Sequence, residues 1–600
     1  MKFLIFLSVI FISLQITAQD LTGTKVGFLA DIHLHDIHAQ IEKMPEGKLP
    51  QANTQLLIRS MNAQLSSTRL FNENYFVLKT ALDDLVEKNV KLVALPGDLT
   101  DDGQPINVKA ISHILDEYTK KYGMRFFAIT GNHDPVRPST VEGGKTDFLS
   151  ADGSEIGIHS LNHKKCNTLK RTKNQHCSNS LLQWGYKEIM NTMGQHGFHP
   201  QQQDIYYETP FTQTQTKQVK EGKSTHHQDE SFESRHLTWC DPNNIKNCVK
   251  MPDASYLVEP VEGLWLLAID ANVYTPKYSA NSNESTTYNG SSNAGYNQML
   301  VYKKPVLTWI KDVAKRAKLQ NKKLIAFSHF PATDFYDNTA ADIAELFGKD
   351  KLQLKRMPTQ ETENILANMG LTLHFAGHMH INDTGVIKRK NNTPFYNIQI
   401  PSLAAYRPAY KLLTFDSKNN VQIDTVALDT VKNFKSLFPF YETEWQYRNQ
   451  HELPNWNKEI LSSKNYLDFT DQHLQQVVLQ RFFVKDWPQD LVEYINNNTL
   501  YSLVKPMLAT KTNSASVIKD NKKLLSKNGK ELAFDFYRIR NADSISKLAM
   551  SDKFYLSLDA TKLIQGCSVI DNTQCKLGRL VNIMQKMLRG EKSDSLSTSL

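Results

Sequence analysis

Val26-Gly27-Phe28-Leu29-Ala30-Asp31-Ile32-His33 and Leu92-Val93-Ala94-Leu95-Pro96-Gly97-Asp98-Leu99-Thr100-Asp101-Asp102-Gly103 are short apolar runs that break off into carboxylates and an imidazole. A continuous apolar run of this length, bounded by glycine and aspartate, reads as a buried strand. Three later segments repeat the design: Gly131-Asn132-His133-Asp134, Ser328-His329-Phe330-Pro331 and Gly377-His378-Met379-His380, each directly behind an apolar run. Strand ends gather their side chains along one edge of a sheet, so two aspartates, an asparagine and five histidines would meet there. Asp31 and His33, and again His378 and His380, stand two apart and face the same side. Each block alone has a plain alternative, a Gly-Asp turn or a histidine satisfied in the core. Together they predict a dinuclear metal site, with Asp98 as the carboxylate able to bridge two cations about 3.5–4 Å apart.

Read in order, the blocks are D-x-H, G-D-x-x-D-x-G, G-N-H-[DE], a lone His and G-H-x-H. On these motifs the chain resembles the calcineurin-like metallophosphoesterases, over roughly residues 24 to 430. The resemblance implies a four-layer αββα sandwich. It implies one divalent metal on Asp31, His33, Asp98 and His380, and a second on Asp98, Asn132, His329 and His378. It also implies that His133 is the catalytic histidine, supported by Asp101. Mixed oxygen and nitrogen donors suit Mn, Fe or Zn. Two such cations would lower the pKa of a shared water towards neutrality, giving a bridging hydroxide to attack phosphorus, with His133 as proton donor to the leaving oxygen.

Departures from subgroups narrow the resemblance. Asp101 stands where purple acid phosphatases carry a tyrosine ligand, and Asp102 where protein serine/threonine phosphatases carry a phosphate-gripping arginine. The remaining similarity is to secreted phosphodiesterases, including class III cyclic-nucleotide and acid-sphingomyelinase-like enzymes. The expected substrate is therefore a phosphate ester, a diester before a monoester, with nucleotides and phospholipid head groups among the candidates. A broad phosphomonoesterase and an acid-sphingomyelinase-like phospholipid phosphodiesterase are the enzymatic alternatives, and a metal-binding scaffold for an adhesion module is the non-enzymatic one.

Around the motifs, residues 20 to 430 alternate apolar runs with amphipathic stretches, the pattern of a layered α/β domain. Runs at 26–30, 92–95, 126–129, 264–269, 324–327 and 371–375 predict strands. Leu78, Leu82, Leu85 and Val86, then Val108, Ile111 and Leu115, then Val306, Trp309, Ile310 and Val313 recur at helical spacing. Residues 395–400, 412–415 and 421–428 read as strands of a second sheet. Segments 136–253 and 279–297 interrupt the rhythm and read as insertions over the active edge, the first an ordered lid. From 431 to 600 the pattern turns helical, with Leu474, Val477, Val478 and Phe482 on one face and Leu580, Ile583, Met584, Met587 and Leu588 on another. This predicts a separate helical C-terminal domain with a frayed tail after Glu591.

The chain opens with Lys2, an apolar run at 3–14 and Ile16-Thr17-Ala18, which reads as a signal peptide ending near residue 19. No run reaches the roughly 20 apolar residues of a membrane helix, so an exported, periplasmic or secreted protein is expected. Six cysteines fall as close pairs, Cys166/Cys177, Cys240/Cys248 and Cys567/Cys575, which predicts three short-loop disulfides. The 70 basic and 62 acidic residues leave +8 over 600 residues, too diffuse to call for a nucleic-acid polymer. His35 and His38 read first as surface histidines of a loop, with reach to a substrate as the alternative, and Tyr406 and Arg407 read either as packing residues or as pocket lining with Arg407 as a phosphate grip. His226 and His227 read as part of a solvated loop.

Overall fold

The computed structural model describes residues 20–166, 174–212, 231–277, 288–291, 295–418, 420–508, 522–567 and 572–600. The apolar N-terminal run, His226 with His227, and most of the 279–297 segment lie outside the described residues.

Two sheets stack face to face. The first has six strands in the order Ser595–Ser599, Asn420–Ala427, Ala409–Phe415, Lys25–Phe28, Leu92–Pro96, Arg125–Ile129. The second has seven: Asp383–Lys388, Pro394–Gln399, Leu373–Ala376, Lys323–Ser328, Leu264–Ile269, Tyr256–Val261, Tyr206–Glu208. Lys25–Phe28, Leu92–Pro96 and Arg125–Ile129 run parallel, as do Leu264–Ile269, Lys323–Ser328 and Leu373–Ala376. A strand with apolar residues on both faces needs cover on both. The inner faces cover one another, and Phe28 of the first sheet stacks on Phe375 of the second, with ring centroids 3.7 Å apart.

Helices close the outer faces. Asn74–Glu87 and Pro105–Tyr122 bury Leu78, Leu82, Leu85, Val108, Ile111 and Leu115 in the same core as the first sheet. Lys304–Leu319 buries Val306, Trp309, Ile310 and Val313 against the second. This is the expected four-layer αββα order. Pro105 opens its helix and Gly123, at φ 65°, closes it, the asymmetry such residues impose.

Three expectations change. Residues 395–400, 412–415 and 421–428 do not build a sheet of their own: Pro394–Gln399 extends the second sheet, while Ala409–Phe415 and Asn420–Ala427 pair onto Lys25–Phe28. The tail is not frayed, since Ser595–Ser599 pairs with Asn420–Ala427 and Lys323 donates to the carbonyl of Leu600. The helical region after 431 is present but is sealed to the sheets. Phe434, Tyr441, Trp456 and Phe469 join the core of the first sheet, and Phe335, Tyr336, Met379 and Tyr406 pack among Leu491, Phe536 and Leu580.

The three disulfides, Cys166–Cys177, Cys240–Cys248 and Cys567–Cys575, form as paired by their spacing. No helix among the described residues is long and apolar enough to cross a membrane.

Candidate metal centre

The donors meet where the carboxyl ends of Lys25–Phe28, Leu92–Pro96 and Arg125–Ile129 face those of Lys323–Ser328 and Leu373–Ala376. They therefore lie between two sheets, not along the edge of one. Asp31, His33, Asp98, His378 and His380 all hold left-handed backbone angles, with φ between 45° and 69°. Such conformations cost non-glycine residues of the order of 1–3 kcal/mol each and concentrate at functional sites. The glycines ahead of them permit the approach: a Cβ on Gly377 would lie 2.5 Å from Asp31 Oδ2.

Two sets of donors converge. In one, Asp31, His33 and His380 bring a carboxylate oxygen and two ring nitrogens within 4.8 Å of one another; in the other, Asp98, His329 and His378 do the same. His33 Nε2 is 3.2 Å from His380 Nε2, and His380 Nε2 is 3.3 Å from Asp31 Oδ1. His329 Nε2 is 3.1 Å from both Asn132 Oδ1 and His378 Nδ1. Asp98 Oδ2 stands between the sets, 3.7 Å from His33 Nε2 and 3.3 Å from His329 Nε2. The seven predicted ligands are thus brought together, and they divide as the motifs imply.

The surroundings fix the donors. Asp31 accepts the backbone N–H of His378 at 2.9 Å, and Asp98 that of His133 at 2.8 Å. The Pro96 carbonyl lies 3.1 Å from His329 Nδ1, which places that ring's N–H there and turns Nε2 inward. Burial, with the Arg69 guanidinium beside it, holds His33 well below the usual imidazole range, and burial with Arg356 does the same to His378. Burial also presses His329 down, but the Asp98 carboxylate overrides it and raises the ring to about 9. Burial opposes ionisation of Asp98, yet His329 holds it well below the carboxylate range. Neutral His33 and His378 offer lone pairs, and an ionised carboxylate lies between them. The donor set fits two divalent cations of the Mn, Fe or Zn type.

Asp101 does not meet His133. Its neighbour Asp102 does, with Oδ1 2.5 Å from His133 Nδ1. Asp101 turns instead to Arg59 at 3.0 Å, Lys145 at 3.3 Å and Arg69 at 3.4 Å. Burial works against its charge, but Lys145 and the two arginines lower its pKa to about 2. Lys145 also binds Asp102. That lysine belongs to Gly144–Leu149, so the 136–253 insertion buttresses the second block from behind; none of its described residues lines the cavity in front.

The cavity, about 470 Å³, is closed instead by residues 350–356 and by the C-terminal region, with His473, Val477, Arg481, Phe482 and Arg540 on its walls. Two arginines at its base escaped the sequence reading. Arg69 Nη1 lies 3.1 Å from His33 Nδ1 and 3.2 Å from His133 Nδ1, while Arg356 Nη1 is 3.3 Å from Asn132 Oδ1 and lies over the Phe330 ring. Arg69 comes from an irregular segment and Arg356 from the short 3-10 turn Leu354–Arg356, neither carrying a motif, so spacing gave no signal for them. Arg407 faces away, bound to Asp429 and to the Ile545 carbonyl at 2.6 Å, although Tyr406 does line the cavity. His35 is a core residue on the Leu57 carbonyl at 2.8 Å, and His38 is exposed.

Residues 24–382 match the family model of the calcineurin-like phosphoesterases. No curated protein matches the chain. Among solved structures it is similar to a dimetal phosphatase from Danio rerio, 11% identical over 68% of this chain and 97% of that one, with a TM-score of 0.32. It is also similar to GAP50, the anchor in the inner membrane complex of Plasmodium, 11% identical over 68% of this chain and 85% of that one, with a TM-score of 0.26.

Proposed function

Because this chain belongs to the calcineurin-like phosphoesterases, we propose that it is an exported, dinuclear-metal hydrolase of phosphate esters that takes phosphodiesters in preference to monoesters. The observation that carries the reading is the placement of Asp98 Oδ2 between two converging donor sets, 3.7 Å from one histidine and 3.3 Å from the other. Asp31, His33, Asp98 and His380 would hold one cation, and Asp98, Asn132, His329 and His378 the other. When bound, such a pair supplies an activated water and draws negative charge from the phosphoryl oxygens.

The chain's own residues do the rest. His133 donates a proton to the leaving oxygen, a role typically worth about 10²–10⁴ in rate. Asp102 accepts from Nδ1, orienting the ring so that Nε2 is the working atom. Asp101 acts one step further back, by holding Arg59, Lys145 and Arg69 in place. Arg69 and Arg356 offer guanidinium donors to phosphoryl oxygens, with the planar geometry that suits them. Room for two ester arms in the 470 Å³ cavity favours a diester. Export is supported by the disulfides, which persist in oxidising compartments.

The test is hydrolysis of bis-p-nitrophenyl phosphate against p-nitrophenyl phosphate by chelator-stripped protein refilled with Mn²⁺ or Zn²⁺. Metal-restored turnover with the diester ahead is expected. A monoester preference would move the assignment to a broad phosphatase, and silence on both substrates with metal bound would favour the scaffold alternative.

A further inference from the structure

Four arginines line the cavity, and only Arg69 among them pairs with a carboxylate, that of Asp101. Arg59, Arg125, Arg316, Arg407, Arg538 and Arg579 each pair with a carboxylate. Among the described residues Arg356, Arg481 and Arg540 form no ion pair and bond to neutral groups. Arg356 stands at the donor sets and is accounted for there. Arg481 and Arg540 belong to the part of the lining that the C-terminal region supplies.

That part is built to hold cations without cancelling them. Arg540 donates through Nε and Nη2 to Tyr336 Oη at 3.2 and 3.0 Å, and through Nη1 to Asn541 Oδ1 at 2.7 Å. Tyr336 donates in turn to the Leu352 carbonyl at 2.8 Å, which ties the arginine to the 350–356 segment. Arg481 reaches only the Ser66 carbonyl, at 3.5 Å. It sits on a π-turn, Val478–Phe482, set between the helical segments Tyr466–Val477 and Phe483–Lys485. Such turns re-aim side chains and recur at functional sites. The carboxylates nearby are already engaged, Asp486 with Lys351 and Asp350 with Lys355, both at 3.3 Å. Two half-buried guanidiniums are left without counter-charge, and their forked donors match a phosphate or carboxylate.

We propose that Arg481 and Arg540 form a second anion subsite, so that the substrate is a phosphate ester bearing a further anionic group, a second phosphate foremost, away from the reacting phosphorus. The proposal rests on the phosphoesterase reading for which phosphorus reacts, but the subsite itself is a binding property. It gives the helical region a role: it supplies substrate selection to a metal centre built entirely from the sheets.

Calorimetric titration of the metal-loaded full chain with thymidine 5′-monophosphate and thymidine 3′,5′-bisphosphate tests it. The bisphosphate should bind about 10- to 100-fold more tightly, the range that charged hydrogen bonds provide. Arg481→Ala should lose roughly tenfold of that preference, and Arg481→Glu should reverse it. Arg481 has one long hydrogen bond, so neither variant should impair folding; circular dichroism and thermal melting check this. Equal affinity for the two nucleotides, or a preference unchanged in both variants, would overturn the subsite. Failure of the phosphoesterase reading would look different: no release of p-nitrophenol from bis-p-nitrophenyl phosphate, with the Arg481-dependent preference intact.

Discussion

Replacing Gly131 with alanine should dismantle the candidate metal centre without replacing any of its donors. Gly131 follows Arg125–Ile129 and leads into Asn132 and His133. A Cβ there would lie 2.2 Å from Asp98 Oδ1 and 2.3 Å from Asp98 N, where ordinary contact begins near 3.4 Å. Asp98 or the 131–133 backbone must therefore move by about 1 Å, and the 2.8 Å bond from His133 N to Asp98 Oδ1 must break. Overpacking of this kind typically costs about 1–3 kcal/mol, and a displacement of about 1 Å at reacting groups costs about 10²-fold in rate. Gly123→Ala is the control: its φ of 65° makes alanine strained by about 1–2 kcal/mol, but nothing lies within 4 Å of the added carbon and the site is remote. Metal content by plasma emission and kcat on bis-p-nitrophenyl phosphate should both fall for Gly131→Ala, while Gly123→Ala loses stability alone. A Gly131→Ala protein with two ions per chain and kcat within about threefold of the parent would refute the reasoning.

Asp102→Ala should lower kcat by about 10²-fold or more with KM little changed, because the ring of His133 loses the acceptor that orients it; Asp101→Asn should chiefly lower stability, by about 1–3 kcal/mol in urea titration, since Arg59, Lys145 and Arg69 lose a buried counter-charge. Arg356→Ala should reduce kcat/KM by about 10- to 100-fold through loss of a charged contact to the phosphoryl group. Burial raises the pKa of both Glu73 and Glu444 to about 7. The folded state then binds more protons than the unfolded chain between about pH 4.5 and 7, so their contribution is complete below that window and is lost as pH rises through it. Glu73→Gln, which keeps an acceptor for Tyr441 Oη at 2.7 Å, should therefore gain roughly 2–4 kcal/mol relative to the parent between pH 5 and pH 8; no change in that difference would contradict the assignment.

The convergence of the seven candidate donors was legible because each stands at a fixed offset from a buried strand, and the order of strands then dictates which donors meet. Asp101 against Asp102 was not legible. Adjacent carboxylates point in different directions, and the choice is made by Arg59 and Arg69, which arrive from segments earlier in the chain, take up Asp101 and leave Asp102 to His133. Arg69 comes from an irregular segment and Arg356 from a single 3-10 turn, and the path of both depends on tertiary packing, so no period or motif announces them. The strand Ser595–Ser599 lacks an apolar alternation to read; it forms because Asn420–Ala427 offers an unpaired edge to the backbone. The splitting of Pro394–Gln399 from Ala409–Phe415 has a similar origin. The chain crosses between stacked sheets there, and apolar runs do not say which sheet they join.

Metal stoichiometry followed together with turnover addresses the central claim most directly. Protein stripped with chelator and titrated with Mn²⁺ or Zn²⁺ should take up two ions per chain, and hydrolysis of bis-p-nitrophenyl phosphate should rise only as the second site fills. Turnover that persists without metal, or uptake of a single ion with full activity, would contradict it.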